Sequence, residues 1–188
     1  TVATGLDALS HALESIWNVN ANAVSTQFAV SAARSILAVL PRLVEEPDSL
    51  DLRTQMAQAA LFAGLAFSNT KTALSHSLSY PITLRHGVAH GIACSFTLPQ
   101  VLMSLAGRDD ACTEALTAIF DTQPSHAAER LAWFMDGLGV SCNPHDHGVG
   151  DAEWDDIVEG AFAGERGRNF IGTKPDFLAA CRAMGYGA

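Results

Sequence analysis

The stretch Gly5-Leu-Asp7-Ala-Leu-Ser-His11-Ala-Leu-Glu14-Ser-Ile-Trp17 sets the pattern for the whole chain. Leu6, Leu9, Leu13, Ile16 and Trp17 recur at the three-to-four-residue step of one helix face. The opposite side carries Asp7, His11 and Glu14. Asp7 and His11 are four residues apart, which on a helix brings their Cβ atoms to about 5–6 Å. An acid and an imidazole so placed can reach one ion together. The same pair also occurs as an ordinary solvated face, and spacing alone does not choose between the two.

Outward from that segment the helical step continues. A helix is expected over 22–45, bent or split at Pro41. Another is expected over 50–67, capped by Asp48 or Ser49, with Ala57, Ala59, Ala60, Ala63, Gly64 and Ala66 permitting close helix approach. Ser68-Asn69-Thr70 then breaks the pattern and caps a short helix from 71 to 79, which Pro81 ends. His86-Gly87 opens a further apolar helix interrupted at Pro99, and four more follow over 109–120, 126–138, 151–162 and 174–184. The expectation is an all-α, multi-helix bundle of about eight or nine helices, one domain over 1–188. There is no strand hairpin, no G-x-G-x-x-G after a strand and no phosphate-binding P-loop. Most of any nucleotide site must therefore lie outside these residues.

Composition narrows the function classes. The chain has 188 residues, 48% hydrophobic, 16% charged and 7% aromatic. That is enough apolar material for one compact core and argues against disorder. A formal charge of −9 excludes a nucleic-acid partner, which needs a basic face, but not a small anionic substrate in a locally positive pocket. Cys94, Cys112, Cys142 and Cys181 contain no C-x-x-C pair and read as reduced, partly buried thiols of a cytoplasmic protein. No secretory signal or apolar run of membrane-spanning length is read, so no membrane partner is expected.

A second group of chemistry-bearing residues lies in Ser75-His76-Ser-Leu-Ser-Tyr80-Pro81-Ile-Thr-Leu-Arg85-His86-Gly-Val-Ala-His90. If Pro81 breaks the helix, two helix ends can face each other and aim His76 and His86 at one point. A straight helix cannot do so across ten residues. A lone histidine on an apolar helix more often packs than ligates, and three within fifteen residues leave both readings open. One carboxylate with two or three imidazoles suits Fe²⁺ or Zn²⁺. His145 and His147 in Pro-His-Asp-His-Gly read as a surface loop.

Three motifs in order carry a resemblance. Residues 5–14 look like the G-x-D-A-x-x-H-A-x-E signature of the iron-containing (group III) alcohol dehydrogenases. Gly64-Leu-Ala-Phe-Ser-Asn69 is similar to that family's G-x-A-F-S-N. His86-Gly-Val-Ala-His90-Gly-Ile-Ala, with Leu98-Pro99 following, resembles its H-G-x-x-N-A-x-x-L-P. The resemblance covers essentially the whole chain, but only the C-terminal half of a typical member. It implies the dehydroquinate-synthase-like helical domain, with an N-terminal nucleotide-binding α/β domain absent from this chain. It also implies a homodimer and a small alcohol or aldehyde substrate.

Carried over residue by residue, the family's metal ligands fall on Asp7, His11, His76 and His86. His90 falls where many relatives have Asn and is not counted as a ligand. Tyr80 falls where several members carry another histidine, and Tyr80 and His90 become the candidates for handling a proton. The implied chemistry is metal-assisted hydride exchange with NAD(P). A chain of this length is expected to fold and hold metal but not to turn over alone. The segments around His76 and Cys94 look most like the branch acting on phosphonoacetaldehyde, with Lys71 and Arg85 as candidate substrate-binding cations. The alternatives are a glycerol-dehydrogenase-like or dehydroquinate-synthase-like enzyme, or a helical scaffold whose histidines only pack.

Overall fold

A computed structural model of the chain describes residues 1–185. Among them are ten α-helices and two short 3-10 turns, with no strand beyond an isolated bridge between Asn18 and Phe170. The all-α expectation holds. Helix α1 (Val2–Ile16) is the hub and packs on α2 (Ala23–Glu45), α3 (Leu50–Thr70), α4 (Leu74–His86) and α5 (His90–Ala93). Its apolar stripe of Leu6, Leu9, Leu13 and Ile16 is buried with Trp17. Against it lie Ile36 of α2 and the small residues Ala29, Ala32 and Ala33 of α2 and Ala59, Ala63 and Ala66 of α3, which let the backbones approach.

The second half continues with α6 (Leu98–Met103), α7 (Ala111–Phe120), α8 (Pro124–Gly137), α9 (Asp151–Ala163) and α10 (Lys174–Ala183). Helix α6 packs on α8 and α10, and α9 supports α4. Asn22, Ser49, Asp110 and Thr173 cap their helices by accepting backbone N–H groups. The cysteines are free and buried, in keeping with their spacing.

Neither internal proline ends or splits its helix, and for Pro81 that reverses the expectation. Helix α2 runs through Pro41, and α4 runs through Pro81 to His86. An interior proline costs about 3 kcal/mol. Leu74, Leu78 and Ile82 lie on one face of α4 and are fully buried, each contributing about 1.5–3 kcal/mol. Their summed burial exceeds the proline penalty, so the helix continues. The break falls earlier, at Lys71, whose φ of 64° turns the chain between α3 and α4. Asn18, Asn20 and Asn169 donate side-chain N–H groups to the carbonyls of Lys71, Thr70 and Thr72 and hold that turn.

Helix α4 ends at Gly87, which adopts the left-handed C-cap conformation, and α5 starts only at His90. Pro99 opens α6 at its first turn and does not interrupt a helix. By length and composition α2 is apolar enough to cross a membrane, contrary to the sequence reading. Here its buried stripe, including Leu40 and Leu43, faces the neighbouring helices.

Candidate metal centre

Three helices each bring a pair of polar side chains four residues apart to one place. Helix α1 supplies Asp7 and His11, α4 supplies His76 and Tyr80, and α5 with its C-cap supplies His90 and Cys94. The approach of α5 to α1 depends on Gly91. A Cβ there would stand 1.8 Å from the Ala3 carbonyl oxygen and 3.2 Å from the Asp7 Cβ. A glycine is needed for His90 and Cys94 to reach Asp7 at all.

Glu14 lies two turns beyond Asp7 and is fully buried. Its carboxylate accepts the backbone N–H of Ala73 at 2.9 Å and of His76 at 3.1 Å. Helix α4 begins after Ala73 without a cap of its own, so a side chain from α1 does the capping. The same carboxylate meets His76 Nδ1 at 2.6 Å. That contact places a proton on Nδ1 and turns Nε2 toward the cluster.

His76 Nε2 is buried, has no hydrogen-bond partner and lies 3.6 Å from Asp7 Oδ1. His90 Nε2 is 3.9 Å and Cys94 Sγ 3.3 Å from the same oxygen. The four donor atoms all lie within 4.8 Å of one another. Tetrahedral nitrogen, oxygen and sulfur ligands around one divalent ion stand about 3.4–3.6 Å apart. The residues present therefore fit a cation, and an orphaned imidazole nitrogen faces the space it would take. His11 flanks the cluster, its ring stacked between His76 at 4.6 Å and Phe67 at 4.2 Å.

The electrostatics follow from this packing. Burial works against charge on His76, but the Glu14 carboxylate and then Asp7 raise its pKa to about 9. Burial pushes Asp7 upward, yet the nearby His76 and His11 imidazoles bring it down to about 2. His11 is lowered to about 4 by burial and by its charged neighbour His76. Burial and the Asp7 charge hold the Cys94 thiol well above 9.0.

A cleft of about 540 Å³ opens onto the cluster, lined among others by His11, Phe67, Lys71, Tyr80, His90 and Arg166. Its size suits a small ligand. Tyr80 stacks on His90 at 5.9 Å, and the Arg166 guanidinium lies over the Tyr80 ring at 4.9 Å. Lys71 stands at the rim, 3.8 Å from Glu165.

The expected residues thus separate into two groups. Asp7, His11, His76, Tyr80, His90 and Lys71 meet at the cleft. His86 and Arg85 do not. His86 Nε2 lies 3.0 Å from Glu153 of α9, and Arg85 donates to the same carboxylate at 3.1 Å. Because α4 is continuous, His86 is ten residues from His76, about 15 Å along the axis. His90 takes the place expected of His86 among the clustered imidazoles. The pattern H-G-x-x-N-A-x-x-L-P itself closes on Leu98-Pro99 only when begun at His90, and Cys94 then falls at its Asn position. Counting back from the proline is the signal that finds both residues. Glu14 is visible in the sequence as a polar residue on α1 and as the last residue of the first motif, with no role assigned to it, and nothing in the sequence points to Arg166. His145 and His147 lie apart, as expected, on the 3-10 turn Pro144–His147, bonded to Asp151 and the Ser141 carbonyl.

The model described as Fe-containing alcohol dehydrogenase family, C-terminal, matches residues 1–176. NAD-dependent methanol dehydrogenase of Bacillus methanolicus is 39% identical over 142 residues, 75% of this chain and 34% of that protein. Phosphonoacetaldehyde reductase of Streptomyces viridochromogenes is 30% identical over 159 residues, 77% of this chain and 40% of that one. The crystal structure of sulfoacetaldehyde reductase from Bifidobacterium kashiwanohense in complex with NAD+ superposes with a TM-score of 0.87 at 26% identity. That superposition covers 100% of this chain and 50% of that one. The chain thus spans between about a third and a half of the length of these relatives.

Proposed function

The chain belongs to the Fe-containing alcohol dehydrogenase family, and on that premise we propose that it is the metal-binding half of an NAD(P)-dependent alcohol dehydrogenase or aldehyde reductase. The observation that carries the reading is the buried, unpartnered His76 Nε2 facing Asp7 and His90 across a gap of cation size. Asp7, His76 and His90 would hold the ion, with His11, one helical turn from Asp7 on α1, as a fourth ligand. A divalent ion bound there supplies Lewis-acid polarisation of a substrate oxygen, and a nicotinamide supplies the hydride chemistry.

The chain's own residues do the remaining work. Glu14 keeps the His76 proton on Nδ1 and the ring fixed. Phe67 and the stacked His11 ring cover one side of the cluster from water. Tyr80, its ring against His90 and the Arg166 guanidinium, carries a cleft hydroxyl that would exchange a proton with the substrate. Lys71 and Arg166 are the cleft's two cations, and they favour an aldehyde with a small anionic group such as a phosphonate or sulfonate. The relatives named for phosphonoacetaldehyde and sulfoacetaldehyde support that substrate class.

Metal analysis tests the reading directly. Protein supplied with Fe²⁺ or Zn²⁺ should retain a stoichiometric ion through gel filtration, and His76→Ala should release it. A stoichiometric ion retained undiminished by His76→Ala protein would overturn the proposal. For the substrate class, Arg166→Ala should weaken binding of a phosphonate aldehyde more than that of a neutral one. Equal effects would remove the anion site.

A further inference from the structure

We propose that Cys94 contributes a sulfur donor to this centre, making it a mixed carboxylate, imidazole and thiolate site. The inference rests on the metal reading above and adds a ligand that the sequence did not assign. Cys94 is the C-cap of α5, four residues beyond His90, so its side chain leaves the helix on the His90 face. Its Sγ lies 3.3 Å from Asp7 Oδ1 and within 4.8 Å of the donor nitrogens of His76 and His90. The close seat of α5 on α1 at Gly91 holds it there.

A buried cysteine alone would mean little. Here, independently, the His76 imidazole is 2% exposed and presents an unpartnered Nε2 to the same space. Two donors from different helices therefore face one point, and the imidazole nitrogen among them has no hydrogen-bond partner. Cys112, Cys142 and Cys181 are also buried and free, but only Cys94 belongs to the cluster.

On binding, the S–H···O contact to Asp7 is exchanged for a sulfur–metal bond. The thiol proton and the Nε2 proton of His76 leave to water, and the sulfur keeps its electron pair as a thiolate, with no change of oxidation state. Asp7 and the thiolate then balance the two charges of the ion. Thiolate is a soft ligand, so the site is expected to favour Zn²⁺ and Co²⁺ over Mg²⁺ or Mn²⁺.

Cobalt absorption decides the matter on the intact chain. The protein loaded with Co²⁺ should show visible d–d bands together with a near-ultraviolet sulfur-to-cobalt charge-transfer band. Cys94→Ser should keep its far-ultraviolet circular dichroism, lose the near-ultraviolet band, and bind Zn²⁺ at least about 10-fold more weakly. Cobalt bound with d–d bands but no charge-transfer band in the wild-type protein would overturn sulfur ligation and leave the metal centre standing. A band that persisted in Cys94→Ser would belong to another cysteine and would equally overturn ligation by Cys94. Failure of the wild-type chain to retain Co²⁺ at all would overturn both readings.

Discussion

Glu14 does two jobs with one carboxylate, capping α4 and orienting His76, and both depend on its complete burial. Truncation leaves the Ala73 N–H, the His76 N–H and His76 Nδ1 without acceptors, at about 1–3 kcal/mol for each buried group. Glu14→Ala is therefore expected to lose several kcal/mol in urea unfolding and to weaken Zn²⁺ binding by about 10–100-fold. Glu14→Gln should recover part of both, since an amide oxygen still accepts, and no recovery would refute the orienting role. A simpler case is Asp110, which caps α7 at Thr113 and pairs with Arg108. Burial works to raise its pKa, but the Thr113 N–H and the Arg108 guanidinium together hold it below 3.8. A depressed carboxyl stabilises the fold at pH above its unfolded value, and that contribution is lost as pH falls through the folded pKa. Asp110→Ala should cost about 1 kcal/mol at pH 7. The difference from wild type should shrink in thermal melts taken progressively below pH 3.8, and a constant difference would rule out the charged cap.

Among the helices, glycine positions separate packing from propensity. Gly91→Ala forces a Cβ into the Ala3 carbonyl and should cost at least about 1–3 kcal/mol in chemical denaturation, with loss of metal retention as α5 lifts from α1. Gly64, inside α3, has nothing within 4 Å of a built Cβ. Gly64→Ala should instead stabilise by about 0.5–1 kcal/mol through helix propensity. Similar losses at both positions would mean that the α1–α5 contact is not the special one. Helix existence was legible from the apolar step, and the helices from α7 onward begin and end within two residues of the sequence reading. The breaks around α4 were not. A proline in a sequence states its local penalty, but the burial of Leu74, Leu78 and Ile82 that outweighs it depends on α4's surroundings.

For the molecule as a whole, metal binding and folding are coupled, because Asp7, His76 and His90 come from three helices that meet only in the folded chain. With Zn²⁺ at about a hundred times its Kd, mass action adds about 2.7 kcal/mol. For a domain of this size that raises Tm by about 5–10 °C. A chelator should reverse the shift, and His76→Ala should not show it; an equal shift in the variant would point to binding elsewhere. The sequence by itself determined the all-α architecture, the core stripe of α1 and the Asp7–His11 pair, since each depends on a helical period of a few residues. Which histidine joins them was decided by tertiary structure. His86 and His90 lie four residues apart around the same glycine. The continuous α4 carries His86 away to Glu153, and the α1–α5 contact at Gly91 brings in His90 and Cys94. That choice turns on packing between segments more than sixty residues apart, where no local pattern reaches.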